Sequence, residues 1–255
     1  MTLLRVESLS KEFGGVHAIE ELSFAINPGT IHSIIGPNGA GKTTLFNLIT
    51  GVYIPSHGRI LLDDQDITAR SVHELAARGM SRTFQNLQVF FNMTALENVM
   101  VGHHLHCDRR LLPSLLRFPG LVRRDRACAR LCEELMEFVG VARWRDIPAS
   151  AMPYGALKRL EVARALAARP KLLLLDEPAA GLNATESREI DEVIKKIAEQ
   201  GITVVLVEHD MKMVMGISDH VLVLDYGRKL AEGTPAEVRA NPLVIAAYLG
   251  AAHAS

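Results

Sequence analysis

An apolar, β-rich run, Ile31-His32-Ser33-Ile34-Ile35, meets Gly36-Pro37-Asn38-Gly39-Ala40-Gly41-Lys42-Thr43-Thr44, and a helical pattern opens at once with Leu45, Phe46 and Leu48. The order is strand, glycine-rich loop, helix. Gly36, Gly41, Lys42 and Thr43 fill the spacing G-x-x-x-x-G-K-[ST], in which backbone N–H groups wrap phosphate oxygens, the lysine neutralises charge and the hydroxyl holds Mg²⁺. The positive end of the following helix dipole points at the same phosphates. A nucleotide site over residues 36–44 is therefore expected, against the alternative of a purely structural glycine turn.

The chain has 255 residues, enough for one large or two small domains, and 48% hydrophobic content supports a sizeable core. A net charge of −1 gives no overall attraction to nucleic acid or anionic lipid, so such contact would need a local patch. Cys107, Cys128 and Cys132 are too few and too irregular for a disulfide framework, which fits a reducing compartment. No apolar run reaches membrane-spanning length, and Arg5, Glu7 and Lys11 near the start leave no signal-peptide core. The expectation is a protein kept in the cytosol, or held at a membrane by partners.

Strands are predicted near Leu3–Leu9, Leu22–Ile26, Thr30–Ile35, Gly58–Leu62, Ser81–Phe84, Lys171–Leu175, Thr203–Glu208 and His220–Asp225. Continuous apolar runs such as Leu172-Leu173-Leu174-Leu175 and Val204-Val205-Leu206-Val207 are the pattern of buried parallel strands. Alternation in Leu3–Leu9 and Gly58–Leu62 instead predicts half-exposed antiparallel sheet. Between about Asn86 and Ser150 strand signals vanish, and helix formers dominate from Asp125 to Val139. No internal repeat is present, so the phosphate loop occurs once.

A second chemical element is Lys171-Leu172-Leu173-Leu174-Leu175-Asp176-Glu177-Pro178, a strand delivering two adjacent carboxylates at its C-terminal edge, where ligands bind open α/β sheets. Asp176 is suited to hold Mg²⁺ through its water shell, and Glu177 to polarise a water aimed at the γ-phosphate. Without the phosphate loop, a solvated acidic turn would explain the pair equally well.

With these motifs the chain resembles the ATP-binding subunits of ABC transporters over nearly all its length. The resemblance implies an α/β fold: a P-loop NTPase core of ABC-ATPase type with an antiparallel β edge subdomain and an inserted helical subdomain. The whole chain, 1–255, would form one ATP-binding domain, with about 1–86 and 151–255 as core and β subdomain and about 87–150 as the helical part. It also implies roles for single residues. Gln85, in Arg82-Thr83-Phe84-Gln85-Asn86, matches the glutamine that reaches Mg²⁺ and the attacking water, and joins Thr43 and Asp176 as candidate metal ligands. His209, in Glu208-His209-Asp210, matches the histidine that contacts the γ-phosphate, and completes a catalytic set with Glu177 and Gln85. Phe13 stands where an aromatic underlies adenine, with a core aromatic beside an edge strand as the alternative. Ala180-Gly181-Leu182-Asn183 matches the loop that touches the opposite subunit.

The segments Arg82–Asn86, Asp176–Asn183, Glu208–Lys212, Glu232-Gly233-Thr234-Pro235 and Ala247-Tyr248-Leu249-Gly250 most resemble the larger ATPase subunit of branched-chain amino acid importers. That implies ATP and Mg²⁺ as cofactors, a second and different ATP-binding subunit, two membrane permeases and an extracytoplasmic solute-binding protein. The chain would sit on the cytoplasmic face of the membrane and bind no nucleic acid. Importers for urea or amides share the motifs. Soluble ABC ATPases of DNA repair or the ribosome normally carry a coiled coil or two ATPase units in one chain, and a P-loop kinase would need an acceptor site and lid.

One motif departs from the family. The signature, usually Leu-Ser-Gly-Gly-Gln, reads Met152-Pro153-Tyr154-Gly155-Ala156. In the family it clamps the partner's ATP through a serine hydroxyl, backbone N–H groups and a helix N-terminus. Pro153 has neither hydroxyl nor N–H, yet its fixed φ suits a helix entry, leaving the N–H groups of Tyr154, Gly155 and Ala156. Two further features carry a plainer reading. His103, His104, His106 and Cys107 with Cys128 and Cys132 invite a metal, but the cysteines sit in an apolar-periodic helix as small core residues. Seven arginines between Arg109 and Arg130, interleaved with leucines, are read as a solvated insertion rather than a membrane-facing patch, since Pro113 and Pro119 break the helical repeat.

Overall fold

A computed structural model describes residues 2–106 and 119–251 of the chain. The first two strands, β1 (Leu4–Phe13) and β2 (Val16–Ile26), form a hairpin turned by Gly14-Gly15, both at positive φ. Next to β1 lies β4 (His57–Leu62), and β5 (Gln65–Asp66) pairs with β4, giving an antiparallel sheet ordered β2-β1-β4-β5. A second sheet contains β3 (Ile31–Ile35), β6 (Met80–Arg82), β7 (Leu172–Asp176), β8 (Thr203–Val207), β9 (His220–Asp225) and β10 (Arg228–Gly233) in the order β10-β9-β3-β8-β7-β6. All of its pairings are parallel except β9 with β10.

The two periods of the central strands explain the layering. Leu172 and Leu174 of β7 face one cluster, which fills the space between the sheets around Leu45, Phe46, Leu48 and Ile49 of α1 (Lys42–Ile49). Leu173 and Leu175 face the opposite cluster, shared with α5 (Tyr154–Ala167) and α6 (Ala184–Glu199). Each such aliphatic side chain, removed from water on both faces of the sheet, contributes about 1.5–3 kcal/mol. The phosphate-loop helix is thus clamped between sheets with its apolar residues buried.

Outside the parallel sheet, α3 (Ala95–Gly102) and α4 (Pro119–Phe138) pack on α5 through Val99, Cys132, Met136 and Leu160. Thr94 caps α3, accepting from the Glu97 N–H at 3.2 Å while the Glu97 carboxylate accepts the Thr94 N–H at 2.8 Å. A short helix α2 (Val72–Ala77) follows β5, and α7 (Met211–Ile217), α8 (Pro235–Ala240) and α9 (Pro242–Ala251) complete the chain. Val214, Val238 and Val244 from these last helices cover Ile35, Val221 and Val223.

Differences from the sequence reading have local causes. The strand expected from Leu22 begins at Val16, because the hairpin pairs Phe13 with Val16 across the glycine turn. That expected over Ser81–Phe84 stops at Arg82, where the chain bends out of the sheet. The strand β10 escaped notice because Arg228-Lys229-Leu230-Ala231-Glu232-Gly233 is a polar edge strand, and β5 because it is two residues long. Pro119 opens α4 rather than interrupting it, since the first helical turn needs no intrahelical N–H bond there. Cys132 is fully buried in the helical cluster, with Cys128 packed against it. Cys107 and the arginines at 109, 110 and 117 lie outside the described residues, whereas Arg126 and Arg130 are exposed.

Candidate active site

The loop from Gly36 to Gly41 joins the C-terminal end of β3 to the first turn of α1. Its glycines are set by close backbone approach. A Cβ on Gly36 would stand 2.2 Å from the Leu224 carbonyl oxygen, and one on Gly41, at φ 97°, 2.6 Å from that of Ala18. The loop is therefore seated on β9 and β2, and its N–H groups keep one arrangement. Gly41 is the N-cap of α1, with Thr43 exposed and Thr44 half-buried in the first turn. Lys42 is buried, and its ammonium arches back to donate to the carbonyls of Gly36 at 2.6 Å and Pro37 at 3.0 Å. Burial pulls its pKa down, opposed by the negative charge of Glu177.

Across the loop, the strand β7 ends in the two carboxylates. Glu177 sits at φ 48°, a left-handed conformation unusual for a side chain of its size, so its carboxylate leaves the strand direction and faces the groove. Both its oxygens are engaged: Gln85 Nε2 donates to Oε2 at 3.1 Å, and His209 Nε2 lies 2.8 Å from Oε1. The three residues assigned to catalysis from sequence, though far apart in the chain, thus meet at one carboxylate. Asp176 is buried and pairs instead with Arg82, whose Nη2 donates to Oδ2 at 2.8 Å.

A groove of about 520 Å³ runs along Asn38 to Thr44 and past Gln85, Glu177 and His209. Its other wall is Val16-His17-Ala18 and Tyr226, residues that the motifs did not single out. Tyr226 is 84% exposed at φ 44° on the turn between β9 and β10, and the next residue, Gly227, donates to the Ala40 carbonyl at 3.1 Å. An exposed tyrosine before glycine in a turn was the available signal. Phe13 stands outside this lining: its ring meets Tyr53 edge-on at 5.3 Å, under the Lys11 ammonium at 4.9 Å.

The donor set suits Mg²⁺. Thr43 offers a hydroxyl, Gln85 the amide oxygen beside the nitrogen that donates to Glu177, and Asp176 the oxygen other than the one Arg82 bonds. These are hard oxygen ligands of the kind Mg²⁺ takes, and they would hold it together with the phosphates of a bound nucleotide. Among the described residues no cluster of three or more His, Cys, Asp or Glu offers a metal cage of its own.

Two further groups tie the parts together. Glu208 is buried and accepts the N–H groups of Ala179 at 2.8 Å and His209 at 3.0 Å, so the loop after Glu177 and the histidine share one carboxylate anchor. Burial raises its pKa, and the Ala179 N–H opposes the shift most. Lys158 of α5, also buried, directs its ammonium at the carbonyls of Glu177 at 3.4 Å and Gln85 at 3.5 Å.

The signature residues lie away from this centre, at the start of α5. Pro153 is its N-cap, and Tyr154, 43% exposed, lays its ring against Gly181. A Cβ on Gly155 would come within 2.4 Å of the Glu186 carboxylate, so a larger residue there would have to displace that side chain. Ala156 is buried within the apolar cluster around Leu160 and Ile190. No group of this segment approaches the chain's own phosphate loop closely enough to line its groove.

The comparisons agree with the geometry. A family described as ABC transporter matches residues 19–180, and one described as branched-chain amino acid ATP-binding cassette transporter matches residues 228–254. The high-affinity branched-chain amino acid transport ATP-binding proteins BraF of Pseudomonas aeruginosa and LivG of Escherichia coli K12 are each 43% identical over 98% of both chains. Among solved structures, an ATP-binding cassette of an ABC transporter in its ADP conformation superimposes with a TM-score of 0.86 at 33% identity, covering 98% of this chain and 99% of that one. A nucleotide-free cassette gives 0.84 at 32% identity, covering 97% and 99%. A phosphate loop seated on two sheets, a carboxylate pair at the end of β7 and full-length likeness to these cassettes place the chain in the ABC transporter ATP-binding family, as an ATPase subunit.

Proposed function

We propose that this subunit energises import of branched-chain amino acids or closely related solutes, as one half of an ATPase pair whose other half is a different chain. It would work on the cytoplasmic face of the membrane beneath two permeases, which receive solute from an extracytoplasmic binding protein. None of the described helices is long and apolar enough to cross a membrane, so transport requires those partners. The full-length relatives bearing branched-chain transport names support the solute class.

The observation that carries the coupling is the path of the chain from Arg82 to Gln88. Gln85 bonds Glu177, while Arg82, Phe84 and Gln88 line a groove of about 430 Å³ on the other side. Apolar Val52, Val72, Leu75, Phe90 and Val101 line it with the charged Glu161 and Arg164, a composition that fits an amphipathic helix from a permease. Movement of a docked helix would therefore reach the catalytic carboxylate through three residues of backbone.

The site's chemistry follows from its hydrogen bonds. Lys42 neutralises phosphate charge in ground and transition states alike, and the loop N–H groups hold the phosphates for in-line attack. Mg²⁺, when held by Thr43, Asp176 and Gln85, would neutralise charge on the β- and γ-phosphates. Arrival of the γ-phosphate gives His209 and Gln85 a new acceptor, which frees Glu177 to orient and polarise the attacking water.

The altered signature supports a mixed pair. In a homodimer both sites would lack the serine hydroxyl. In a heterodimer only the site made by this chain's Pro153–Ala156 and the partner's phosphate loop is affected, and the site containing Lys42, Asp176, Glu177 and His209 receives the partner's signature. Steady-state ATPase of the isolated chain, compared with the complex purified from native membranes and its subunits identified, tests the reading. Weak activity alone and strong activity with a distinct ATPase and permeases is the expected result. Full activity of a purified homodimer would overturn the mixed pair, and a native complex without permeases would return the chain to the soluble ABC ATPases.

A further inference from the structure

Arg82 makes more contacts than a residue flanking a motif needs. Its side chain is 9% exposed, and its guanidinium fork spans three acceptors on two elements. One nitrogen, Nη2, donates to Asp176 Oδ2 at 2.8 Å; the other, Nη1, donates to Asn47 Oδ1 at 2.7 Å and Thr50 Oγ1 at 3.0 Å near the end of α1. The rings of Phe46 and Phe84 flank the guanidinium, with centroids 5.6 and 5.1 Å from its carbon. Its neighbour Thr83 places a hydroxyl oxygen 3.3 Å from the Asp176 N–H, so backbone and side chain of that aspartate are both held from the end of β6. Among the described residues, Arg82 is the cation paired with the Asp176 carboxylate.

A carboxylate with one oxygen fixed by an arginine presents the other in a single direction. The geometry points to Arg82 as a positioning residue for Mg²⁺: it holds Asp176 against the phosphate-loop helix, so that the free carboxylate oxygen meets the metal shell without rotamer search. This rests on reading Asp176 as the Mg²⁺ carboxylate. Arg82 touches neither phosphate nor reacting water; it acts through Asp176. A purely structural arginine would instead affect nucleotide affinity equally with and without metal.

The test is calorimetric titration of the full chain with a non-hydrolysable ATP analogue, across a Mg²⁺ series and in EDTA, for the unaltered protein, Arg82→Gln, Arg82→Lys and Asp176→Asn. Loss of an outer partner typically lowers metal affinity about 10–100-fold, so Arg82→Gln should need about that much more Mg²⁺ while binding in EDTA changes less than about twofold. Arg82→Lys should fall between, because an ammonium keeps the charge but cannot span three acceptors in one plane. If Arg82→Gln does not fold, Arg82→Lys alone decides by the same criterion. An unaltered Mg²⁺ requirement in the folded Arg82 variants, with Asp176→Asn impaired, overturns the role of Arg82 and leaves Asp176 in place. Parallel loss in EDTA and in Mg²⁺ also overturns it, by showing a structural role. If Asp176→Asn itself keeps the Mg²⁺ response, the reading of Asp176 is at fault instead.

Discussion

The phosphate-loop end of this chain and its signature end are built to different degrees of completion. At the first, Lys42, Glu177, Gln85 and His209 already touch groups within their own chain, and Arg82 and Glu208 hold the neighbouring backbone and carboxylates. At the second, the start of α5 carries a half-exposed Tyr154, and none of its residues lines the chain's own phosphate groove. An end whose groups already touch one another within the chain loses function wherever its own residues change. On the proposed mixed pairing, a change at the signature end reaches only the partner's nucleotide and costs less.

The largest expected effect tests the first half of that contrast. Lys42→Ala should abolish both ATP binding and turnover, since the ammonium is needed before and during transfer. Filter binding and phosphate release should fall together, and a variant that hydrolyses ATP normally would place the phosphate charge on another group. Next, Glu177→Gln should keep ATP affinity and lower hydrolysis in the assembled complex by roughly 10²-fold or more, the scale of one positioned catalytic group. Near-normal turnover would transfer the water to a different residue, with His209 the first to examine.

Phe13→Ala sharpens the comparison within the phosphate-loop end. Base stacking on an aromatic contributes ~1–3 kcal/mol, so loss of a stacked Phe13 should weaken ATP binding about ten- to a hundredfold with little change in fold. The ring's contact with Tyr53 and Lys11 offers the rival account. Unchanged affinity in Phe13→Ala, with a loss in Tyr226→Ala, would assign the base to Tyr226 in the groove wall. GTP should compete well in either case, because a stacking face does not read the base edge.

The smallest effect belongs to the signature end. Pro153→Ser restores one hydroxyl, worth about 0.5–3 kcal/mol at the affected site, and the assembled complex should gain only modestly because the other site is intact. Ala156→Gln is the less informative companion. Ala156 is 2% exposed in an apolar cluster, and a glutamine amide there would be buried without a partner. A large gain in steady-state rate from Pro153→Ser would mean that the two ends are equally limiting, and the contrast between them would fail.

Most of this site was legible because its chemistry is local in sequence. The phosphate loop needs glycines where backbones crowd, and the carboxylates must end a buried strand; both leave short, fixed patterns. Gln85 and His209 were legible only through family resemblance, since a glutamine after a strand and a histidine after another carry no pattern of their own. Arg82, Glu208 and Lys158 were not legible at all as site residues. Their roles depend on which donors and acceptors lie within 3.4 Å of them in the folded state. Val16 and Tyr226 escaped for a related reason: they become groove walls only when the β1–β2 hairpin and the β9–β10 turn close over the loop.

The sequence by itself determined the nucleotide chemistry, the parallel core and the departure at the signature, because each rests on residue type at fixed spacing along one strand, loop or helix. Tertiary structure decided which donors share Glu177, which cation holds Asp176, where Phe13 turns its ring and that position 156 is interior. Those outcomes are set by contacts between segments tens of residues apart, whose geometry exists only once the two sheets and the helices have packed.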